Sequence, residues 1–205
     1  MRRAIASLKR CIATPEVNKH RLFVWMETVI VPDHKVHAIA RDDDYFFGVL
    51  HSNVHEQWTL ATCSWIGKGN DPSYNSSSTF DTFPFPWPPG SEPSEAKSPV
   101  VKAIADAARN LVMLRQNWLD PSQDAQKAVP ETWALEVEPE EVDLKDRTLT
   151  KLYNQRPAWL DNAHRTLDQA VFAGPYPLPT QEILARLLAL NHQRATKSTA
   201  PDSRE

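Results

Sequence analysis

Prolines gathered in one short stretch constrain the fold of this chain more than any other feature of its sequence. Residues 83–93 read Phe-Pro-Phe-Pro-Trp-Pro-Pro-Gly-Ser-Glu-Pro. Because proline lacks a backbone N–H and has a fixed φ, neither a helix nor a central strand can continue through such a stretch. We therefore predict two domains, residues 1–90 and 99–195, joined by a proline-rich linker over 91–98 and followed by a disordered tail over 196–205.

The first predicted domain contains patterns for both strands and helices. Runs rich in β-branched and aromatic residues predict strands over 21–31, 36–41 and 45–50. The sequence Ser52-Asn53-Val54-His55-Glu56 resembles a capping pattern and predicts a short helix that ends at about Ala61.

The second predicted domain is mostly helical. A helix is predicted over 99–119, where apolar residues recur at three- and four-residue spacing: Ile104, Ala108, Leu111, Leu114 and Trp118. A loop rich in proline and glutamate follows over 120–143, and two more helices are predicted around 162–172 and 181–194. The expected fold class is therefore α+β, a mixed α/β domain followed by a mostly helical C-terminal domain.

The overall composition argues against several classes of protein. Five glycines among 205 residues leave few places where backbone could wrap a dinucleotide, which counts against a self-contained nucleotide-binding fold. No apolar run reaches the ~18 residues of a transmembrane helix, and the basic N-terminus lacks the apolar stretch of a secretory signal. Two cysteines, Cys11 and Cys63, cannot form a disulfide framework. We expect a cytoplasmic protein with reduced thiols and no membrane partner.

Charge is distributed unevenly, although the formal net charge is only −3. Residues 1–90 contain 9 Lys and Arg against 9 Asp and Glu, and 5 of the 7 histidines. Residues 91–205 contain 14 Lys and Arg against 17 Asp and Glu. A nucleic-acid partner would therefore have to be bound through a local patch rather than through bulk charge.

One short motif resembles a catalytic signature without matching it. Amino-methyltransferases use an Asn/Asp-Pro-Pro-aromatic turn, whose polar groups hold the target nitrogen while the aromatic ring stacks on an extruded base. Here Asp71-Pro72-Ser73-Tyr74 has serine in place of the second proline, and no glycine-rich strand-turn-helix precedes it. We predict an ordinary turn at this position and no catalytic residue in the chain.

Two clusters contain residue types that can bind metal ions. His51 and His55 stand four residues apart, a spacing that can place two imidazoles on one helix face, but the sequence offers no convincing third ligand. Arg41-Asp42-Asp43-Asp44 could hold a divalent ion for phosphodiester cleavage, yet residues 45–50 lack the further acid and lysine of a magnesium nuclease. The favoured interpretations are polar helix residues or DNA-contacting donors for the histidines, and a solvated turn for the acidic run.

Two polar stretches are better candidates for a binding site. One is Lys19-His20-Arg21, and the other covers 64–75, which combines Lys68, Asn70 and Tyr74 with two glycines. Arg or Lys can pair with guanine, and Asn with adenine, at base edges in the major groove. The same composition is also that of an ordinary polar loop, which residue types alone favour.

Taken together, these segments resemble the C-terminal region of MmeI-like DNA methyltransferases from restriction-modification systems. In the first half the resemblance runs through Ile12–Trp25, Ala40–Ser52, His55, Trp58, Gly69–Pro72 and Phe80–Pro86. In the second half it runs through Arg147–Asn154, Arg156-Pro157, Trp159-Leu160, Ala163-His164, Leu167-Asp168, Ala170–Phe172 and Ile183–Asn191. The two blocks follow each other in the family's order and cover nearly all of residues 1–195.

The resemblance implies a target recognition domain for an adenine-N6 methyltransferase, with a helical C-terminal domain behind it. In the family the catalytic segment and the S-adenosylmethionine site precede this region, so the chain itself would bind no cofactor. The implied partners are double-stranded DNA and, where the halves are split, a separate catalytic subunit. A protein-interaction remnant without DNA binding is the alternative, and a metal-dependent nuclease is a more distant one.

Residue type and family position suggest how the DNA contacts are divided. We assign base reading to Lys68, Asn70 and Tyr74. We assign contacts nearer the phosphates to Lys19, Arg21, His51, Ser52 and His55, and a further DNA contact to His20.

Overall fold

The predicted α+β class is confirmed by the arrangement of strands and helices. Of the 205 residues, the computed structural model describes 2–67, 71–121, 147–174 and 183–199. The predictions for Lys68 and Asn70, and for most of the loop over 120–143, lie outside these ranges.

A three-stranded antiparallel sheet follows the one-turn helix α1 (Arg2–Ile5). Its central strand is β1 (Arg10–Pro15), flanked by β2 (Val24–Glu27) and β3 (Val36–Ile39). The sequence predicted β2 and β3 but not β1, which mixes polar and apolar residues and ends in a proline. Proline can occupy this last position because it is not required to donate a ladder hydrogen bond there.

The sheet is centred on β1, and neither of its outer strands pairs with a further strand among the described residues. Ile12 in the centre of β1 lies opposite Trp25 of β2 and Ile39 of β3, and it is fully buried. Among the described residues, β3 pairs only with β1, so its outer edge has no strand beside it.

The stretch over 45–50, predicted as a strand, is instead the helix α2 (Asp44–His51). Asp43 caps its start, where Oδ1 accepts a hydrogen bond from the Phe46 backbone N–H at 2.8 Å. All residues of α2 from Tyr45 onward are buried. The helix therefore has apolar side chains on every face, and its composition is the same as that of a buried strand. The aspartate cap is the signal that identifies the helix.

The predicted short helix is confirmed as α3 (Asn53–Thr62), with Ser52 in the N-cap position. The serine does not cap with its side chain, because its hydroxyl donates to the Val49 carbonyl at 2.7 Å. Since Ser52 interrupts the helix, His51 and His55 lie on two successive helices. They therefore do not lie on the single helix that their spacing would have allowed.

The stretch over 71–74, predicted as a turn, belongs to a β-hairpin. Its strands are β4 (Ser64–Ile66) and β5 (Asp71–Ser73), which pair antiparallel. The Tyr74 backbone N–H donates to the Glu16 carbonyl at 2.7 Å and ties the base of the hairpin to the segment after β1. Strands of three residues are too short for alternation to show in the sequence.

Four helices make up the second half of the described chain: α4 (Pro99–Leu119), α5 (Leu149–Gln155), α6 (Ala158–Ala173) and α7 (Ile183–Thr199). The bounds of α4 are those predicted, whereas α5 was not predicted as a helix. The last helix continues through the first four residues of the predicted disordered tail. No helix in the described part of the chain is long and apolar enough to cross a lipid bilayer.

One hydrophobic core joins the two halves. Within the proline-rich stretch, Phe83 and Phe85 are buried, and the Phe85 ring stacks on Phe46 of α2 at 4.7 Å between centroids. The proline-rich stretch therefore packs across the core, although its prolines still keep it free of helix and strand.

Helices α2 and α4 are in close contact at Gly48. A Cβ atom added at Gly48 would lie 2.9 Å from Ile104 Cγ2 and 3.1 Å from Ala108 Cβ. A side chain at this position would collide with α4, so the glycine sets the distance between the two helices.

The acidic run is tied into the fold by ion pairs rather than forming a solvated turn. Asp44, at the start of α2, pairs with Arg10 at 2.8 Å and with Arg109 at 3.0 Å, and its side chain is 13% exposed. Arg41 pairs with Asp43 at 2.8 Å and with Glu92 at 3.0 Å. These contacts connect the sheet, α2 and α4.

Candidate nucleic-acid interface

The residues predicted to bind DNA differ sharply in exposure. Lys19 is exposed and His20 half-buried, while Lys68 and Asn70 are outside the described ranges. The remaining five have buried side chains with 8% exposure or less: Arg21, His51, Ser52, His55 and Tyr74. A side chain that does not reach the surface cannot contact DNA in this conformation, and each of these five has hydrogen-bond partners within the protein.

His51 belongs to a buried polar network between the two halves, which we name the polar seam: Arg115, His51, Tyr153 and His164. His51 Nε2 lies 3.1 Å from both Arg115 Nη1 and the Tyr153 hydroxyl, which in turn lies 2.8 Å from His164 Nε2. Arg115 also donates to the Phe23 carbonyl at 3.1 Å. The seam thereby connects α2, α4, α5 and α6.

The histidines of the seam are held in the neutral form. Burial, followed by the charge of Arg115, lowers the pKa of His51 well below its ordinary value. Burial also lowers the pKa of His164 to about 4, with Arg156 and Arg115 adding to the effect. A neutral, enclosed imidazole supplies no positive charge to a phosphate, so this geometry gives His51 a role in joining the two halves.

His55 and Tyr74 form a second buried contact, at the root of the hairpin. His55 Nδ1 donates to the Leu50 carbonyl at 2.9 Å, which leaves Nε2 free to accept from the Tyr74 hydroxyl at 3.2 Å. Burial lowers the pKa of His55 to about 3 and raises that of Tyr74 above its ordinary value. Both groups therefore stay neutral, and the tyrosine remains a hydrogen-bond donor at physiological pH.

Arg21 fastens the same hairpin to the sheet. Its guanidinium donates to Thr14 Oγ1 at 3.0 Å and to the Pro72 carbonyl of β5 at 3.2 Å. It also lies over the Tyr74 ring, 4.9 Å from the centroid. Arg21 and Tyr74, predicted as DNA contacts, thus hold the base of the hairpin in place.

The outer strand of the hairpin is exposed. All three residues of β4 are exposed, with Trp65 at 50% and Ile66 at 46%. Gly67 then adopts a left-handed backbone conformation with φ of +69°, which an L side chain rarely adopts. The predicted base-reading residues Lys68 and Asn70 belong to the connection between β4 and β5.

Lys19 and His20 meet the helical half at its surface. Lys19 Nζ donates to Asn154 Oδ1 at 2.9 Å, and His20 Nε2 lies 2.9 Å from the same oxygen. Asn154, on α5, was not predicted as a site residue. Two basic side chains converge on one neutral acceptor here, and no carboxylate pairs with Lys19 among the described residues.

A cavity of about 50 Å³ lies beside this contact, lined in part by His20, Arg156 and Asp168. Asp168 accepts a hydrogen bond from the Asn53 backbone N–H at 2.7 Å and caps α3 in place of the Ser52 side chain. Burial raises the pKa of Asp168 to about 6. Its partner is 115 residues away in sequence, so local pattern could not have identified this cap.

Neither the pair of His51 and His55 nor the acidic run over 41–44 forms a metal centre in the described part of the chain. No group of three or more His, Cys, Asp or Glu side chains there is arranged to hold a metal ion.

Comparisons with known proteins give one structural match. No protein-family model and no curated protein matches the sequence. The chain is similar to part of the solved structure of MmeI, a Type IIL restriction-modification enzyme in complex with DNA, with a TM-score of 0.65 and 20% sequence identity. The match covers 92% of this chain and 22% of that enzyme, so the chain spans about a fifth of its length. At this identity the likeness shows a shared fold.

Proposed function

We propose that this chain recognises DNA sequence for a restriction-modification methyltransferase that acts on adenine N6. One observation carries the proposal more than any other: almost the whole chain shares its fold with a fifth of MmeI, a restriction-modification enzyme solved with DNA. Since one fold can host several functions, the surface of this chain must also suit the role.

The hairpin of β4 and β5 suits base reading. The major groove admits a two-stranded β-ribbon. The base edges in this groove can accept hydrogen bonds from a lysine, and they can both donate hydrogen bonds to an asparagine and accept them from it. Lys68 and Asn70 lie in the connection at the end of such a ribbon. We propose that these two residues read bases, and that the buried Arg21, His55 and Tyr74 position the hairpin without touching DNA.

The surface around Lys19 suits phosphate contact. Its ammonium group is exposed and bound to a neutral amide oxygen, so its charge is not neutralised by a carboxylate among the described residues. His20 lies beside it on the same oxygen. We propose that both contact the DNA backbone, where such contacts fix position but carry no sequence information.

Methyl transfer itself would require a second part. A methyl donor needs a shaped pocket, and the chain has only five glycines with which to build a glycine-rich turn. We propose that S-adenosylmethionine and the catalytic residues are supplied by a separate or preceding catalytic half.

Radiolabelled methyl transfer to duplex DNA tests this function. The reactions contain the chain, the catalytic half of an MmeI-like enzyme, a mixture of both, or their fusion. We expect methylation only when both halves are present. A fusion that binds the methyl donor but methylates no DNA would identify a protein-interaction remnant, and magnesium-dependent cleavage by the chain alone would identify a nuclease.

Variants of the fusion separate base reading from positioning. Lys68→Ala or Asn70→Ala should change the methylated sequence, with a loss of about 1–3 kcal/mol of discrimination for each bidentate base contact. Lys102→Ala and Asn162→Ala replace an exposed lysine and an exposed asparagine on α4 and α6 and serve as matched controls. An unchanged motif in both hairpin variants would refute the base-reading assignment.

A further inference from the structure

A second cleft lies at the root of the hairpin, on the side of Tyr74 that faces β3. Its volume is about 270 Å³, the space of about nine water molecules at roughly 30 Å³ each. One wall is the outer edge of β3, and the other is the segment after the hairpin, which includes a π-helical turn over Ser76–Phe80. Tyr74 also lines the cleft, and its ring centroid lies 5.9 Å from that of His37.

The β3 wall offers unpaired backbone groups. The Glu16 N–H donates to the Lys35 carbonyl at 2.7 Å, and hydrogen-bonding residues alternate along an antiparallel ladder. His37 and Ile39 therefore bond to β1, whereas Ala38 directs its N–H and C=O outward. Ala38 lines the cleft, and its small side chain leaves these groups accessible.

The opposite wall offers an aromatic ring and polar side chains. Phe80 is half-buried. Its ring centroid lies 6.2 Å from that of Phe46 and 5.4 Å from that of Phe85, and packing against these two rings holds Phe80 in position. Ser76 and Asp81 are exposed and line the same space. No lysine or arginine is among the described residues that line the cleft, so the carboxylate of Asp81 would repel a phosphate.

We infer that this cleft binds a single unpaired nucleobase of DNA. A base is planar and uncharged, and its edges carry hydrogen-bond donors and acceptors. The Phe80 ring complements the planar face, and the Ala38 backbone and the Asp81 carboxylate complement the edges. Stacking of a base on an aromatic side chain is worth about 1–3 kcal/mol, and a carboxylate accepts from exocyclic amino groups. The inference rests on the proposed function and adds a second contact to it, a few residues beyond the base-reading connection.

The free edge of β3 could also accept an extended peptide strand, but the edge is too short to favour one. The Val36 N–H already donates to the Asp33 carbonyl at 3.0 Å. Ala38 is then the one residue of β3 that presents both backbone groups outward, whereas strand addition depends on a row of main-chain bonds. A nucleobase needs no more than one such pair.

Binding of paired and bulged duplexes by the full chain tests the inference. The probes share one sequence and differ in a single unpaired adenine, cytosine or thymine. Extruding a base costs a few kcal/mol and least where it is already unpaired. We therefore expect the bulged duplexes to bind at least ~10-fold more tightly than the paired one, with adenine and cytosine preferred over thymine because they carry amino groups.

Three variants assign the preference to the cleft. Ser76→Leu fills the cleft and should remove the preference for bulged DNA. Ser77→Leu is the matched control, because Ser77 is exposed in the same turn but does not line the cleft. Asp81→Asn should keep the preference for an unpaired base and lose the distinction between cytosine and thymine.

Amide hydrogen exchange at Ala38 gives a direct readout of the β3 edge. We expect slower exchange with bulged duplex and unchanged exchange with paired duplex. Equal affinity for both duplexes, or a preference that Ser76→Leu leaves intact, would overturn the inference while the proposed function stands. Protection of Ala38 that grows with protein concentration in the absence of DNA would also overturn it, since a strand from a second copy would then occupy the edge. Failure to bind any duplex by a folded chain would refute the proposed function itself.

Discussion

The polar seam and the β4–β5 hairpin use similar side chains for different purposes. In the seam, His51 and His164 are enclosed by both halves of the chain and bonded to Arg115 and Tyr153, on two further helices. In the hairpin, the polar bonds lie at the root, while the outer strand exposes Trp65 and Ile66. Sequence reasoning had assigned residues of both regions to DNA.

The difference teaches that a polar residue whose type suggests a DNA contact can instead hold the elements around it in place. Buried polar groups must be hydrogen-bonded, and satisfied networks specify one arrangement of the elements that they join. The seam fixes how the halves meet, and the root of the hairpin fixes where its strands β4 and β5 lie. The following experiments perturb the seam, the root of the hairpin or both, and the last one leaves both intact.

Acidification should have the largest effect, because it acts on the buried His51 and His55 and on the half-buried His164 together. Their pKa values are lowered in the folded chain, to about 3 for His55 and about 4 for His164, whereas an unfolded histidine titrates near 6.5. Their contribution to stability is complete above about pH 6.5 and is lost as the pH falls toward 4, at about 1.4 kcal/mol per pH unit for each histidine. Urea unfolding followed by circular dichroism at pH 7 and pH 5 measures the loss.

Two features refine this pH experiment. Asp168, with a pKa raised to about 6, has the opposite sign: its stabilising contribution is present at low pH and is lost as the pH rises through 6. It therefore offsets part of the loss between pH 6 and 4. His164→Gln should flatten the pH dependence, while His34→Gln, at a side chain that is 78% exposed, should not. A midpoint independent of pH would contradict the enclosed, neutral seam.

Removing Tyr74 should break the root of the hairpin and spare the seam. The side chain is 1% exposed, and truncation of a buried aromatic to alanine costs about 3–5 kcal/mol. Tyr74→Phe keeps the ring and loses the bond to His55 Nε2, at a cost of about 1–2 kcal/mol. Urea unfolding compares the two variants, and equal losses would show that the hydroxyl, not the packing, holds the hairpin.

Gly48→Ala tests the packing of the helix that carries His51. Helix propensity alone predicts stabilisation by about 1 kcal/mol, but the new methyl group would lie 2.9 Å from Ile104 Cγ2, and overpacking costs about 1–3 kcal/mol. We expect a net loss in the free energy of unfolding. A gain would mean that α4 moves away from α2 without cost.

Lys19→Ala should have the smallest effect on the fold and a specific effect on DNA binding. Loss of an exposed lysine contact costs less than about 1 kcal/mol of stability. If Lys19 neutralises one phosphate, the slope of log affinity against log salt should decrease in magnitude by about 0.9. Fluorescence anisotropy across a salt series measures the slope, with Lys102→Ala as the control. A slope that falls equally in both variants would remove Lys19 from the interface.

Sequence predicted best where structure depends on nearby residues. The bounds of α4 follow from its apolar spacing and from Pro99 at its first turn, with Ser98 accepting from the Val101 N–H. The helix α2 was missed because it is buried on all sides, so its composition carries no helical period. The hairpin was missed because each of its strands has only three residues.

The candidate site shows the same limit more clearly. Residue type correctly selects polar side chains but does not reveal which are enclosed, since that depends on partners far away in sequence. His51 bonds to Arg115 and Tyr153, 64 and 102 residues away. The resemblance placed these blocks in one region of one enzyme family, and the contacts between them required three-dimensional structure.

The single core shared by the two halves also sets the order in which the chain can fold during synthesis. About 110 residues separate the end of α2 from α6, and at about 5–20 residues per second the ribosome needs several seconds to produce them. During that time α2 can pack against α4, but α6 is still missing from the shared core. We expect the nascent first half to be a client for chaperones, and the speed of translation through the intervening segment to affect the yield.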